Sequence, residues 1–251
     1  MKAKIRKTGI MFLAAVALSS CTKNDDIGVP EAEKGYATGK VVDTKGDPIA
    51  GAKIVLENTV YYASYITGST NDKGSYKIKV QQGSWKALAT LEKEYNGQTY
   101  LVSLHPDRTE SFTEEGVVCN FVWKLEGRDP VNGLSFYGGL IRVAEEYDDN
   151  YPNLDLNDVE LILTPDGPLI DGSEGKTLKL HTNDKYWDQY HEIKDIPIGR
   201  YRVTAVLKEG NTPLRIKDRY ADGELLPELQ LNFTPEDYNL PGCSASIAIG
   251  Y

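Results

Sequence analysis

Three cysteines and three histidines are all that 251 residues offer in the way of soft metal ligands and ready general bases. No cysteine pair has CxxC spacing and no histidine pair has ligand spacing, so the sequence carries neither a structural zinc site nor a redox motif. There is no Gly-x-Ser-x-Gly elbow and no phosphate-cradling Walker loop. Basic clusters are missing beyond the first seven residues. Lys2, Lys4, Arg6 and Lys7 are the only charges in residues 1–20, and without them the formal charge moves from −9 to −13. An acidic chain without grouped Lys/Arg has nothing to neutralise phosphates, which excludes nucleic acid as a partner. Long hydrophobic runs are also missing. The run from Ile10 to Leu18 holds nine residues, against the roughly 20 that a bilayer-spanning helix needs.

What is present begins with an address. A basic start, a short apolar run and small residues, in that order, are the signature of an export signal over residues 1–20. Leu18-Ser19-Ser20-Cys21 resembles the lipobox of bacterial lipoproteins. The resemblance implies cleavage before Cys21 and a diacylglyceryl group on its thiol; an ordinary secretory signal followed by an incidental cysteine is the plain alternative. Each buried lipid methylene contributes about 0.8 kcal/mol, and several chains on one cysteine hold stably. The lipoprotein reading implies a membrane partner reached through the anchor. Thr22 stands where inner-membrane lipoproteins often carry Asp, which points to the outer membrane of a Gram-negative cell. Asp25 and Asp26 resemble part of a surface-export signal, interrupted by Lys23. They favour a surface-facing position over a periplasmic one without deciding it. Residues 21–34 read as a lipidated flexible tether: polar, aperiodic, with a single Pro30.

From residue 35 the pattern is strand after strand. Turns at Lys45-Gly46-Asp47-Pro48, Asn71-Asp72-Lys73-Gly74 and Asn96-Gly97 punctuate period-two alternation, such as Tyr76, Ile78 and Val80 against Lys77 and Lys79. Strands are expected near 36–43, 52–57, 60–66, 75–80, 84–91, 98–105 and 117–125. Gly39-Lys40-Val41-Val42-Asp43, Gly46-Asp47-Pro48-Ile49-Ala50-Gly51-Ala52, Thr70-Asn71-Asp72-Lys73-Gly74-Ser75-Tyr76 and Gly83-Ser84-Trp85-Lys86-Ala87 together resemble the carboxypeptidase regulatory-like domain. That family is a seven-stranded, transthyretin-like sandwich, so the resemblance implies such a fold over 35–126. The family takes its name from zinc carboxypeptidases. Their His-x-x-Glu is not matched here, because Arg108, Asp184 and Lys194 stand three residues after His105, His181 and His191. The hydrolases of transthyretin-like fold end in Tyr-Arg-Gly-Ser; this chain ends in Ala248-Ile249-Gly250-Tyr251.

Residues 127–133 read as a linker, and residues 134–251 as a second transthyretin-like sandwich. Gly199-x-Tyr201-x-Val203 parallels Gly83-x-Trp85-x-Ala87. The stretches 144–157 and 207–227 are the expected long loops, and Ile247–Tyr251 the closing strand. The expected fold class is all-β: two tandem antiparallel sandwiches of seven-stranded, Greek-key type.

Candidate sites are few. Cys119 and Cys243 read as small buried residues, with a bridge between them as the minor alternative. The acidic stretch around Glu145, Glu146, Asp148, Asp149, Asp155 and Asp158 lacks EF-hand spacing and reads as solvated, with calcium as the other option. Sixteen tyrosines against five phenylalanines are the remaining signal. Tyr61, Tyr62 and Tyr65 form one cluster and Tyr186, Trp187 and Tyr190 a second. Aromatic faces with a polar edge suit sugars and protein interfaces, although one face of each cluster packing into a core is the ordinary reading. On a strand, Tyr61 and Tyr65 would share one face and Tyr62 would take the other. The chain is thus expected to be a non-enzymatic, cofactor-free binding or scaffold accessory, with a protein partner in the outer membrane and carbohydrate as a candidate ligand in glycan or nutrient uptake. Two such domains behind a lipobox also resemble lipoprotein pilin and adhesin subunits. In that alternative Ala245–Tyr251 either donates a strand to a neighbour or closes its own sheet.

Overall fold

The computed structural model describes residues 32–131, 136–151, 153–181, 191–236 and 241–251. The cluster Tyr186, Trp187 and Tyr190 lies outside the described residues. Among the described residues the only helical element is a 3-10 turn at Leu156–Asp158, and the other regular elements are strands. The first sandwich contains β1 (Tyr36–Val42), β2 (Lys53–Asn58), β3 (Tyr65–Ser69), β4 (Ser75–Lys79), β5 (Trp85–Tyr95), β6 (Gln98–Pro106), β7 (Val117–Val118) and β8 (Phe121–Trp123). The second contains β9 (Gly139–Glu145), β10 (Val159–Pro165), β11 (Leu178–His181), β12 (Glu192–Ile196), β13 (Arg200–Leu207), β14 (Pro213–Asp218), β15 (Leu229–Asn232), β16 (Thr234–Pro235) and β17 (Cys243–Gly250).

The two sheets repeat one topology. The first runs β3-β2-β5-β6-β8-β1-β4, and the second β11-β10-β13-β14-β17-β9-β12. Strand for strand these are the same order. In each, the first strand pairs parallel with the last, and the remaining pairs along that order are antiparallel. Alternation supplies the core: in β4, Tyr76 and Ile78 are buried while Lys77 and Lys79 are exposed. The edges of the first sheet nearly meet, since a side chain on Gly68 in β3 would run into Ile78 of β4.

The repeat extends to side chains. Trp85 opens β5 and donates Nε1–H to the Gln81 carbonyl at 2.9 Å. Tyr201, near the start of the equivalent β13, donates its hydroxyl to the Pro197 carbonyl at 2.7 Å. Each aromatic reaches back four residues and pins the turn through which its strand enters the sheet. The two cysteines are also equivalent. Cys119 packs against Gly39 of β1, and Cys243 against Gly139 of β9. Both are buried and free, each inside its own sandwich.

Several expectations are corrected. The third strand begins at Tyr65 rather than residue 60. Asn58 breaks it: its side-chain oxygen accepts from the Val60 and Tyr61 N–H groups at 2.9 Å each, and Ala63 takes a φ of 53°. An Asx side chain that offers the backbone a turn competes with the ladder. Tyr61 and Tyr62 therefore sit in a loop, and the two-face strand reading of this cluster fails. The stretch 207–227 contains a strand, β14. The closing strand starts earlier, at Cys243, and lies between β14 and β9, closing its own sheet.

The segment between the sandwiches folds back on itself. Tyr137 N–H donates to the Gly127 carbonyl at 3.0 Å, and Arg128 bridges to Phe136. The buried carboxylate of Asp195 ties both ends down. It accepts from the Gly127 N–H at 2.8 Å and from the Gly138 N–H at 3.2 Å.

Candidate functional site

Three places bear on function: the junction between the sandwiches and the two opposite ends. The junction is built by β5 and β6. The last β2 partner of β5 is at Thr90, and the last β8 partner of β6 is at Leu104. Beyond these, residues 91–95 and 98–102 pair only with each other and form a two-stranded arm. Its tyrosines enter the second sandwich. Tyr100, 2% exposed, donates to the Phe233 carbonyl at 2.6 Å. Gln98 Nε2 donates to the same carbonyl at 3.2 Å. The Tyr95 hydroxyl donates to the Pro168 carbonyl at 2.7 Å and accepts from the Arg200 N–H at 3.1 Å. Burial holds the Tyr100 phenol protonated by pushing its pKa well above the usual value. Nearby, His105 Nδ1 lies 2.9 Å from the Tyr137 hydroxyl; burial, then the charge on Lys124, lowers its pKa. Buried residues of both sandwiches form one continuous apolar cluster.

At the end where the chain enters, Asn58 N–H closes the loop onto the Ser64 carbonyl at 2.9 Å, and Thr59 is held by the Ser84 carbonyl and hydroxyl. This frame projects Val60, 71% exposed, and Tyr61, 70%, beside Tyr62, which is fully exposed; Tyr65 follows at 52%. All three tyrosines of the first cluster are thus brought together and none enters the core. The signal missed in the sequence was Asn58, a turn-former at the strand end.

At the far end of the second sandwich, Tyr147 is exposed and Tyr151 stacks on Tyr251 with centroids 5.3 Å apart. The acidic stretch there is used locally. Glu145 Oε1 accepts from the Leu154 N–H, Asp148 caps Asn150, and Asp155 caps the 3-10 turn through Asn157. Among the described residues no group of three or more His, Cys, Asp or Glu is placed to hold a metal ion.

Two concavities border the first sheet. One, of about 190 Å³, is lined by Val55, Leu88, Phe121, Val131 and Pro241. A more open groove of about 530 Å³ runs along Lys53, Val55, Glu92 and Leu101. Apolar and hydroxyl side chains line both, with Asp129 as the one charge at the first and Lys53 and Glu92 as an opposite pair at the second. Burial pushes both Cys119 and Cys243 up to about 12, so neither thiol is a ready nucleophile. Among the described residues no helix is long and apolar enough to cross a membrane.

No family model matches the chain, and no curated protein matches it either. Among solved structures, the TIE protein of Bacillus anthracis is similar at 13% identity over 85% of this chain and 34% of its own length, with a TM-score of 0.31. A putative adhesin of Bacteroides thetaiotaomicron aligns at 9% identity over 72% of this chain and 79% of its own, TM-score 0.26. A major pilin of Streptococcus pyogenes aligns at 9% over 87% and 96%, TM-score 0.24. Likeness at that level carries no role over to this chain. The class stands on the strand pairings: an all-β chain of two tandem sandwiches with duplicated topology.

Proposed function

We propose that the chain is a non-catalytic presentation subunit of the bacterial cell envelope. In this reading residues 1–20 are removed, a lipid on Cys21 anchors the mature chain to the outer membrane facing outward, and residues 22–34 lead into the first sandwich. The second sandwich is then the part held away from the membrane. The observation that carries the reading is the arm: buried Tyr100 and half-buried Tyr95 bond into the second sandwich and make the pair a stiff spacer. A spacer suits an adhesin- or pilin-like subunit that presents its far end, with Tyr147, Tyr151 and Tyr251. Strand donation by the closing segment is the less favoured mode of assembly, because β17 is held on both sides within its own sheet.

A second reading, an accessory to glycan or nutrient uptake, rests on the concavity beside the first sheet, where Val55, Leu88 and Val131 offer an apolar floor to a protein partner. Cross-linking in the native envelope followed by mass spectrometry separates the two. Contacts from the second sandwich to copies of this chain or to external ligands support presentation. Contacts from that concavity to an outer-membrane transporter support the accessory reading and overturn the first.

A further inference from the structure

The loop Val60-Tyr61-Tyr62 has a position that its exposure alone does not reveal. Gly35, at the entry to β1, accepts from the Val80 N–H, and the chain then runs through residues 81–84 to Ser84, which holds Thr59. The loop therefore lies at the same end of the first sandwich as the point where the N-terminal segment joins it. Glu33 and Lys34 lie at that end too, paired with Lys77 and Glu115. From Cys21 to Ala32 the chain counts eleven residues, a reach of at most about 40 Å when fully extended. Whatever holds Cys21 is within that distance of Ala32, and Ala32 leads into the same end of the sandwich as the loop.

The chemistry of the loop suits one occupant of that space. Asn58 to Asn71 contain no charged residue, in a chain that is 26% charged. Val60 and the two tyrosine rings protrude from a frame already fixed by Asn58, Thr59 and Ser84, so little ordering is needed on contact. Tyrosine is a residue of bilayer interfaces, with its ring at headgroup level and its hydroxyl in water. We infer that Val60, Tyr61 and Tyr62 form a second, non-covalent contact with the lipid surface. It sets the angle at which the anchored first sandwich stands on the bilayer. This rests on the lipid-anchor reading, because one small loop adsorbs weakly unless a tether raises its effective concentration at the surface. With no charge in the loop, the contact is insensitive to salt.

The test uses the full-length protein recovered from envelopes and reconstituted into phosphatidylethanolamine–phosphatidylglycerol vesicles. Tyr62→Trp places a reporter at a fully exposed position, and Tyr220→Trp places one at an exposed position on the second sandwich. The unsubstituted protein sets the background from the native tryptophans. The expected result is a blue shift and at least twofold quenching by shallow brominated lipids at position 62, unchanged by 0.5 M salt, and none at position 220. Water-like emission without quenching at position 62, or equal quenching at both positions, overturns the inference. The mass of the N-terminal peptide reads the anchor separately. An unmodified Cys21 overturns the lipoprotein reading and the loop contact that rests on it, whereas failure to quench with an acylated Cys21 overturns the loop contact alone.

Discussion

Removing one hydroxyl at the junction tests whether the arm couples the sandwiches. Tyr100→Phe keeps the ring in its 2%-exposed site and deletes the bond to the Phe233 carbonyl together with the longer, 3.4 Å bond that the hydroxyl accepts from Gln98 Nε2. A neutral hydrogen bond contributes about 0.5–1.5 kcal/mol net, and a buried acceptor left without a donor costs about 1–3 kcal/mol. The Phe233 carbonyl is not stranded in the single variant, because Gln98 Nε2 still reaches it at 3.2 Å. Tyr100→Phe is therefore expected to cost about 1 kcal/mol, which lowers Tm by about 2–4 °C in a unit of this size. Gln98→Leu costs no more than that, since Tyr100 keeps the carbonyl satisfied. The double variant is different. It leaves the carbonyl with neither donor and exceeds the sum of the singles by about 1 kcal/mol or more. Thermal and guanidinium melts of the four proteins close the cycle. Strict additivity, or a Tyr100→Phe protein as stable as its parent, would refute the idea that these groups act together on one carbonyl.

Other outcomes follow from the same structure. Asp195→Ala strands the Gly127 and Gly138 N–H groups and is expected to cost about 2–4 kcal/mol, measured by chemical denaturation. Asp195→Asn keeps an acceptor and tolerates the φ of 66°. Burial raises the Asp195 pKa against the opposing pull of the two N–H donors. The native state therefore binds the proton more readily than the unfolded chain. Its stabilisation is complete below the unfolded value near 3.8 and is lost as pH rises through the raised folded value. The parent should thus gain stability relative to Asp195→Asn as pH is lowered into that window, and a constant difference would contradict it. Gly39→Ala drives a methyl into the Cys119 carbonyl; loss of at least about 2 kcal/mol or failure to accumulate as soluble protein is expected. Cys119 and Cys243 should resist iodoacetamide at pH 8 until the chain unfolds. Cys21→Ser is expected to move the protein out of the membrane fraction, and a protein that stays bound would end the lipid-anchor reading.

Alternation made most strands readable, because Lys77 and Lys79 against Tyr76 and Ile78 leave only one face for the core. The parallel between Gly83-x-Trp85 and Gly199-x-Tyr201 also carried through, down to the i−4 bond each aromatic makes. The failures were local and non-local in turn. Asn58 ended β2 through its own side chain, which displaced Tyr61 and Tyr62 from a strand into the loop at the entry end. The arm could not be read, since nothing in the run from Trp85 to Tyr95 says where β2 stops pairing and the second sandwich takes over. The equivalence of Cys119 and Cys243 was hidden because the glycines they pack against, Gly39 and Gly139, lie far from them in sequence.

The central claim is that the two sandwiches stand as one stiff body with the lipid-proximal loop at one end and the aromatic tip at the other. Spin labels at Tyr62→Cys and Tyr147→Cys, both exposed in the parent, read it directly by pulsed electron–electron distance measurement in a Cys21→Ser background, since the two buried cysteines stay unlabelled. A single narrow distance distribution, broadened by Tyr100→Ala, is the predicted result. A broad or two-peaked distribution with Tyr100 intact would mean that the sandwiches swing independently and that the spacer reading is wrong.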